Sequence, residues 1–595
     1  MFQSVVHMLQ ETVGRYGEKD ALRFRRDDQI IAYSYNEFNT MIKKLTGALA
    51  QVGLEPNDKI ALLSNNCPEW TITDFAIFSM QGVTVPIYQT LPPNQIAYIL
   101  KDSNTRAIFV ENAEQYDKIV QIENQLPNLE FVFSFKKIRD NDAVDTFDDL
   151  LKIGNEFNIA NPDFYQASVD GIDPMAVCSL VYTSGTTGEP KGVMLHQHGF
   201  VTDIVNAEAA LKLLPTDVFL SFLPLSHLYE RLAGHWCPMY RGGTIHYARS
   251  IETVVDDIAE AKPTVMVSVP RLYEKISTAV LDKVEQGSAI KKSLFNWALR
   301  TGYRYHQKRY VGKPGAWLTR QYNLADKLVF KRIKQKLGGN FRYPIAGGAP
   351  LSVETLKFFE AMGLPIIEGY GMTETHLIIT LTPAGKTKYG SCGKPIRGVD
   401  VRIAQDGEVL VKGETLMKGY FNKPDLTAET IDNDGWLHTG DIGYLDNDRF
   451  LFLTDRKKNI FVTSGGKNVA AAPLENKLKT SRYIDDICLI GHSRKFISAL
   501  IIPNYDMLKK YAELESISYA TDKELTEHPS IYRLIENEVE TAQTDFARFE
   551  KIKKFFILPE PLSLDKGEIT PSLKIKREVV ELRYKPQIDA MYAEK

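Results

Sequence analysis

Helical and strand-like apolar spacings alternate along this 595-residue chain, and the pattern changes twice along its length. Residues 1–22 repeat apolar positions at helical intervals. The stretch to about 170 goes on mixing helical patterns with short apolar runs at 59–64 and 107–110. Short apolar runs between amphipathic stretches predict a sheet covered by helices. Further strand-like runs fall at 218–223, 244–247, 264–269 and 341–346, again separated by helical stretches. From about 399 the segments shorten and alternate, at 399–403, 408–411, 441–445 and 450–453, with Gly and Asp at the turns. That predicts a small β-rich lobe closing the large domain. After Asp455-Arg456-Lys457-Lys458 the pattern becomes a compact α+β run. The expected fold class is α/β: a large N-terminal domain of helix-covered β-sheets with a small β-rich lobe over 1–455, plus a small α+β C-terminal domain over 456–595. One hydrophobic core does not serve a chain of this length, which agrees with two domains.

Composition narrows the function classes. The 44% apolar and 25% charged shares are those of an ordinary soluble globular protein. Net charge is −3, from 72 basic and 75 acidic residues, so no bulk affinity for nucleic acid is implied. Five cysteines lie far apart with no Cys-x-x-Cys pair, which argues against a zinc site or a disulfide framework and fits a reducing cytosol. The first residues do not read as a signal peptide, and no run of about 18 apolar residues would span a membrane. The expected location is cytoplasmic.

One stretch departs from the average. Residues 281–340 hold fourteen Lys or Arg against three acids, with Trp297, Tyr305, Trp317 and other aromatics interleaved. Leu294, Trp297 and Ala298, then Leu328, Ile333 and Leu337, are spaced as the packed faces of amphipathic helices. Such a surface suits either a solvated helical face or peripheral contact with the anionic inner face of a membrane.

The most informative segment runs from Tyr182 to Val193. Three glycines, four hydroxyls (Thr183, Ser184, Thr186, Thr187) and Lys191 separate the apolar runs 175–182 and 193–195, which reads as strand, loop, strand. Gly185 and Gly188 let backbone N–H groups turn inward, the hydroxyls add donors, and Lys191 adds full charge: a cradle for phosphate oxygens. It is not a Walker-type loop, because Lys191 stands between Pro190 and Gly192 rather than before a Ser or Thr opening a helix.

This loop resembles the phosphate loop of the adenylate-forming superfamily, which includes acyl-CoA synthetases, firefly luciferase and the adenylation domains of peptide synthetases. Further segments resemble that superfamily's motifs in order, so the likeness covers most of the chain. The turn Gly347-Gly348-Ala349-Pro350 resembles the border of the adenine and acyl pockets, its glycines leaving room for a flat group. Glu368-Gly369-Tyr370-Gly371-Met372-Thr373-Glu374 resembles the adenine and metal motif. The resemblance implies that Tyr370 stacks on the base, Thr373 bonds a phosphate oxygen, and Glu374 with Thr183 holds Mg²⁺, an ion that takes few protein carboxylates. The segment ending Gly440-Asp441 is similar to the ribose motif, with Asp441 accepting both hydroxyls. Arg456 would donate to the ribose or phosphate side, and Lys458 matches the position about which the small domain swings. Gly465, Gly466, Lys467 and Asn468 resemble the loop that borders the pantetheine arm during thioester formation, although Ala471 stands where the family usually has proline. Lys574, in a Thr-Pro-Ser-Leu-Lys run, matches the adenylation lysine, with Lys576 as the alternative. His227, in Pro224-Leu225-Ser226-His227, resembles the histidine beside the acyl carboxylate. After the phosphate loop, Gln197-His198-Gly199 departs from the usual pattern, which implies altered packing there.

The resemblance implies ATP, Mg²⁺ and coenzyme A as cofactor and co-substrates. The implied activity joins a medium- or long-chain fatty acid to AMP and then to coenzyme A, with a mobile C-terminal domain serving the two steps in turn. Lys574, Lys191, His227 and Glu374 are the residues expected to act on the reacting groups. Other readings stay open: an acyl-AMP ligase loading a carrier protein, oxygen as the second acceptor, or a nucleotide-binding regulator without catalysis. The sequence leaves the oligomeric state open.

Overall fold

Two twisted sheets face each other across a layer of buried helix, and the rim where their strands end becomes the cleft. A computed structural model describes residues 2–27, 29–138, 144–183, 189–251, 253–462, 468–564, 566–570 and 574–593, with the side chains of 458, 462 and 468 outside the description. The first sheet has seven strands, in the order Gly419–Tyr420, Lys191–His196, Val177–Thr183, Val83–Ile87, Lys59–Leu63, Ala107–Val110 and Phe131–Ser134. Val83–Ile87 is buried at every position, as a central parallel strand covered on both faces must be.

The second sheet has nine strands. Its middle is parallel: Thr244–Tyr247, Val218–Ser221, Val265–Ser268, Tyr343–Ala346 and Ile367–Tyr370. Asp20–Arg26 pairs in parallel with Thr244–Tyr247 at one side. The helical reading of residues 1–22 therefore needs correcting at its end. The helix is Val5–Tyr16, and the chain enters the strand at Asp20, which Gln29–Ser34 then covers as the edge of the sheet.

Between the sheets lie helix Pro68–Ser79 and the π-helix Tyr229–Trp236. The first is apolar on every side and accordingly buried all round. Arg231, from the second, is enclosed at the centre of this layer. It donates to Asp74 of the first helix and to Ser179 Oγ of the seven-stranded sheet, and packs on Trp70, Phe78 and Trp236. A buried guanidinium persists only with such partners, and these tie the π-helix to the buried helix and to the seven-stranded sheet.

The expected β-rich lobe is a four-stranded antiparallel sheet of Val399–Ile403, Glu408–Gly413, Leu437–Leu445 and Leu451–Arg456, its third strand twice as long as the alternation suggested. Beyond it, Ile484–Ile490, Ile497–Pro503 and Ile552–Ile557 form a separate three-stranded sheet with its own helices. The apolar clusters divide accordingly. Those of the large part end at Leu451, and those of the small part begin at Phe461. Among the described residues, surface ion pairs that cross between the two parts include Arg271–Asp485 at 3.2 Å, Arg482–Asp282 at 3.2 Å and Lys477–Glu354 at 3.7 Å.

In the basic stretch, helix Ala289–Val311 runs against Ala316–Ala325 and its continuation to Lys336. Phe295, Ala298 and Gly302 form the packed face; Leu294 and Leu328, expected there, are exposed. No helix among the described residues is long and apolar enough to cross a membrane, and all five cysteines are free.

Candidate active site

Four parallel strands of the nine-stranded sheet deliver their C-terminal turns to one rim. After Val218–Ser221 comes the turn with His227, after Val265–Ser268 comes Val269-Pro270-Arg271, after Tyr343–Ala346 comes 347–350, and after Ile367–Tyr370 comes 371–374. Open α/β sheets bind ligands in the crevice beyond these carboxyl ends. The seven-stranded sheet supplies the opposite wall. Val177–Thr183 and Lys191–His196 pair antiparallel, with Thr183 opposite Lys191, which is the strand, loop and strand read from the sequence. Ser184, Gly185, Thr186, Thr187 and Gly188 lie outside the described residues.

Lys191 and Glu374 are joined through Tyr420, which the sequence reading missed. Lys191 Nζ donates to the Tyr420 hydroxyl at 2.9 Å, and that hydroxyl donates to Glu374 Oε1 at 2.8 Å. Burial, with the Glu374 carboxylate beside the phenol adding to it, pushes the Tyr420 pKa up, so the tyrosine stays a donor. Glu374 is buried in the 3₁₀ turn Thr373–Thr375, held by Met417 N donating to its carbonyl at 2.8 Å. Thr183 Oγ1 is buried without a hydrogen-bond partner among the described residues. An orphaned buried hydroxyl opposite Lys191, and a carboxylate that Tyr420 links to that lysine and that has acceptor capacity left over, fit a small hard cation bound mainly by phosphate and water. No cluster of three His, Cys, Asp or Glu exists among the described residues, so such an ion would lean on its ligand's oxygens.

A second network holds Asp441. Its strand pairs with Leu451–Arg456, which places Arg456 directly opposite. Arg456 Nε lies 3.2 Å from Asp441 Oδ1, and the Tyr370 hydroxyl donates to Oδ2 at 2.6 Å. Tyr370 is thereby fixed by its hydroxyl while its ring borders the cleft, and each carboxylate oxygen keeps a lone pair. Burial pushes Glu368, in the same strand as Tyr370, up to about 8.

Lys574 comes from the small part of the chain. Thr570 N donates to Lys574 O at 2.8 Å, and Lys574 N to Thr570 Oγ1 at 3.0 Å, which holds these two residues together. Lys574 is exposed to water, yet protein walls surround it, as in a cleft. Burial by those walls lowers its pKa, nearby Arg456 lowers it further, and Asp441 acts in the opposite sense. The same ammonium helps to depress His227, whose pKa burial and Lys574 bring down to about 4. His227 Nδ1 accepts from Tyr229 N at 3.1 Å, so the neutral ring carries its proton on Nε2. Lys574, His227, Arg456 and Asp441 therefore share one electrostatic neighbourhood. Lys576, the alternative, sits instead at the start of helix Arg577–Arg583.

Two glycine expectations gain detail. Gly347 does admit a flat group, but it is the protein's own: a Cβ there would stand 3.0 Å from the Tyr229 ring, whose hydroxyl donates to Ser268 O. At the departure after the phosphate loop, a Cβ on Gly199 would lie 2.4 Å from His376 Nε2. His376 accepts there from His196 N at 3.0 Å, and burial pushes it down to about 3. Gly348, Ala349, Pro350, Gly369, Gly371, Met372 and Thr373 fall on the rim turns and strand just described. Gly465, Gly466, Lys467 and the side chains of Lys458 and Asn468 lie outside the described residues.

A rim of parallel strands, a lysine from the small part and a carboxylate held ready for a diol define a nucleotide-binding enzyme. The family model for AMP-binding enzymes matches residues 9–421 and that for the AMP-binding enzyme C-terminal domain matches 458–595. The chain belongs to the AMP-binding enzyme family, whose chemistry is ATP-dependent formation of an acyl-adenylate. It is 34% identical over 560 residues to long-chain-fatty-acid–CoA ligase FadD15 of Mycobacterium tuberculosis, covering 93% of this chain and 91% of that one. With the human long-chain-fatty-acid–CoA ligase ACSBG2 it shares 30% over 621 residues, 99% and 92% of the two chains. The anthranilate CoA ligase AuaEII, solved with anthranoyl-AMP, has the same fold, with a TM-score of 0.74 at 20% identity over 99% of this chain and 98% of that one.

Proposed function

We propose that this protein is a long-chain fatty acid–CoA ligase that forms AMP. The observation that carries the reading is Lys574, from the small part of the chain, lying within electrostatic reach of His227 and Asp441 of the large part and of Arg456 at the boundary between them. The identity to long-chain ligases over nearly the whole chain supports the substrate class. In the first step a fatty carboxylate oxygen attacks the α-phosphorus of ATP and pyrophosphate leaves. In the second, the coenzyme A thiolate attacks the acyl carbonyl and AMP leaves with the electron pair of the broken C–O bond.

Both reactants of the first step are anions, so charge placement decides the rate. Lys191 would hold the β- and γ-phosphates within the 183–188 loop, its ammonium positioned by Tyr420. His227 would offer Nε2–H to the fatty carboxylate without adding charge that repels Lys574. Lys574 would bind the α-phosphate oxygen on which charge develops. Mg²⁺ held by Glu374 and Thr183 would neutralise phosphate charge. Asp441 would accept the ribose hydroxyls, Arg456 would guard the phosphate side, and Tyr370, Gly347 and Gly348 would border the adenine. The division at 455/456, with Lys458 as swivel, would let the 465–468 loop replace Lys574 for the thioester step. The setting is the cytosol, where coenzyme A and ATP are available.

The test is fatty-acid-dependent exchange of labelled pyrophosphate into ATP, followed by thioester formation on adding coenzyme A, across acids from short to very long chain. Exchange with long-chain acids and conversion to the thioester are expected. Exchange without any thioester would move the reading to a carrier-loading ligase. No exchange with any acid would reject it.

A further inference from the structure

From Gln286 to Ala325 the chain carries eight Lys or Arg and no acid. The fold bends this stretch into a helical hairpin, Ala289–Val311 and Ala316–Ala325, joined by the turn at 312–315. The inner face packs through Phe295, Ala298 and Gly302. The hairpin is unusual because it exposes several large apolar side chains, at its base, at its tip and along its second arm. Ile290, Leu294 and Val311 lie on the first arm, and Trp317, Leu324 and Leu328 on the second arm and its continuation. At the tip, Val311 is 83% and Trp317 67% exposed. Isolated exposed apolar residues are commonplace; a group of them on one hairpin is not.

The bases surround this group. Arg300, Arg304 and Lys308 lie along the outer face of the first helix, with Arg309, Lys313 and Arg320 about the tip, all exposed. The three acids of 281–340 are each taken by a base: Asp282 by Arg482, Glu285 by Lys292, Asp326 by Lys334. Lys283 and Lys336 stand close enough that each positive charge disfavours the other. An exposed apolar group within a field of unopposed cations is complementary to one kind of surface, an anionic headgroup layer over hydrocarbon. Trp at the boundary and snorkelling Lys and Arg stems suit that interface. A nucleic acid would match the charge but not the exposed Val, Leu and Ile.

We infer that the 289–328 hairpin is a membrane-docking device that seats its tip, Val311 and Trp317, in the anionic leaflet of a lipid bilayer. The inference does not depend on the proposed reaction. If that reaction holds, the hairpin brings the enzyme to the phase in which long-chain acids dissolve.

The full-length protein is tested by co-sedimentation with phosphatidylglycerol–phosphatidylcholine vesicles and with phosphatidylcholine alone. Binding is expected only to the anionic vesicles and should weaken with salt. Reversal of Arg304, Lys308, Arg309 and Lys313 to Glu should weaken it by roughly tenfold or more. Val311→Ser with Trp317→Ser should release what binding remains at high salt, where the apolar contribution dominates. A control reversal at Lys553 and Lys554, on the exposed side of a distant strand, should leave binding unchanged. Thermal melts and pyrophosphate exchange with a short soluble acid should match the wild type throughout. Wild type that stays in the supernatant at low salt overturns the inference, as does equal loss in the control. A lipid-free dimer that the Val311 and Trp317 substitutions dissolve would assign the face to a second copy and overturn it too.

Discussion

Lys191 is held by Tyr420 in two ways: its Nζ donates to the phenol oxygen at 2.9 Å and stands 4.1 Å from the ring centroid. The ring face offers negative potential to the ammonium, and the hydroxyl fixes its direction while handing its own proton to Glu374. The cation and the carboxylate proposed to bind phosphate and metal are thereby spaced by one rigid side chain.

Tyr420 can be divided into its two contributions. Tyr420→Phe keeps the ring and loses the hydroxyl, and the KM for Mg-ATP should rise about fivefold, for a loss of about 1 kcal/mol. Tyr420→Leu loses the ring as well and should add a further several-fold rise. Steady-state kinetics on both variants decide the matter, and wild-type KM in both would show that the spacing is irrelevant to nucleotide binding.

Glu374→Gln should weaken the magnesium dependence of adenylation and leave the fold intact, because the Tyr420 hydroxyl can still donate to the amide oxygen. The measurement is activity against Mg²⁺ concentration. An unchanged midpoint with normal turnover would remove Glu374 from the metal site.

The two half-reactions should separate by mutation. Lys574→Ala should lose adenylate formation by about 10²–10³-fold, the usual cost of deleting a charge-stabilising donor. Thioester formation from supplied acyl-adenylate and coenzyme A should survive in that variant. Gly466→Leu should show the reverse. Equal loss of both steps in a folded Lys574→Ala protein would refute two alternating orientations.

The pH profile should report Lys574. Its pKa is lowered by burial, so the ammonium loses its proton at a pH below the ordinary lysine value of 10.5, and adenylation should fall as pH rises through that lowered pKa. Lys574→Arg keeps its charge at high pH and should flatten the alkaline limb, even at a lower maximum rate. His227, brought down to about 4, stays neutral above about pH 5, so no limb near the usual histidine value should come from it. A wild-type profile falling near 6.5 and restored by His227→Gln would contradict this.

The ion pairs between the parts should bias the adenylation orientation. Exposed pairs contribute about 0–1 kcal/mol each. Arg271→Glu with Arg482→Glu should therefore slow adenylation only a few-fold and spare the thioester step. Asp282→Arg in the Arg482→Asp background should restore the lost rate in stopped-flow adenylation. Failure of the swap to rescue would show that this pair has no directional role.

Much of this was legible before any coordinates. Period-2 runs with Gly and Asp turns gave the lobe, and the Thr183–Lys191 hairpin followed from two apolar runs about a hydroxyl-rich break, because local pattern dictates local structure. Tyr420 was not legible, since it meets Lys191 across 229 residues of chain. Its only local sign was the Gly419-Tyr420 pair, with Gly419 at positive φ. Gly347 was marked as a place for a flat group, but that the group is Tyr229 escaped for the same reason. The hairpin arms were legible as helices but not as faces. Leu294, Trp297 and Ala298 carried the spacing of a core, and Ala298 is buried as expected, but the position of the neighbouring helix Val353–Ala361 sends Phe295 inward and leaves Leu294 exposed.

The long reach between Lys191 and Tyr420 bears on how the protein is made. During synthesis the lysine leaves the ribosome well before its tyrosine, at speeds of about 5–20 residues per second. For a time of order ten seconds or more the cradle exists without the side chain that aims it. Lys574 arrives later still. A half-made chain can therefore pair six of the first sheet's seven strands without yet being able to spend ATP, and competence comes only with the last part of the cleft.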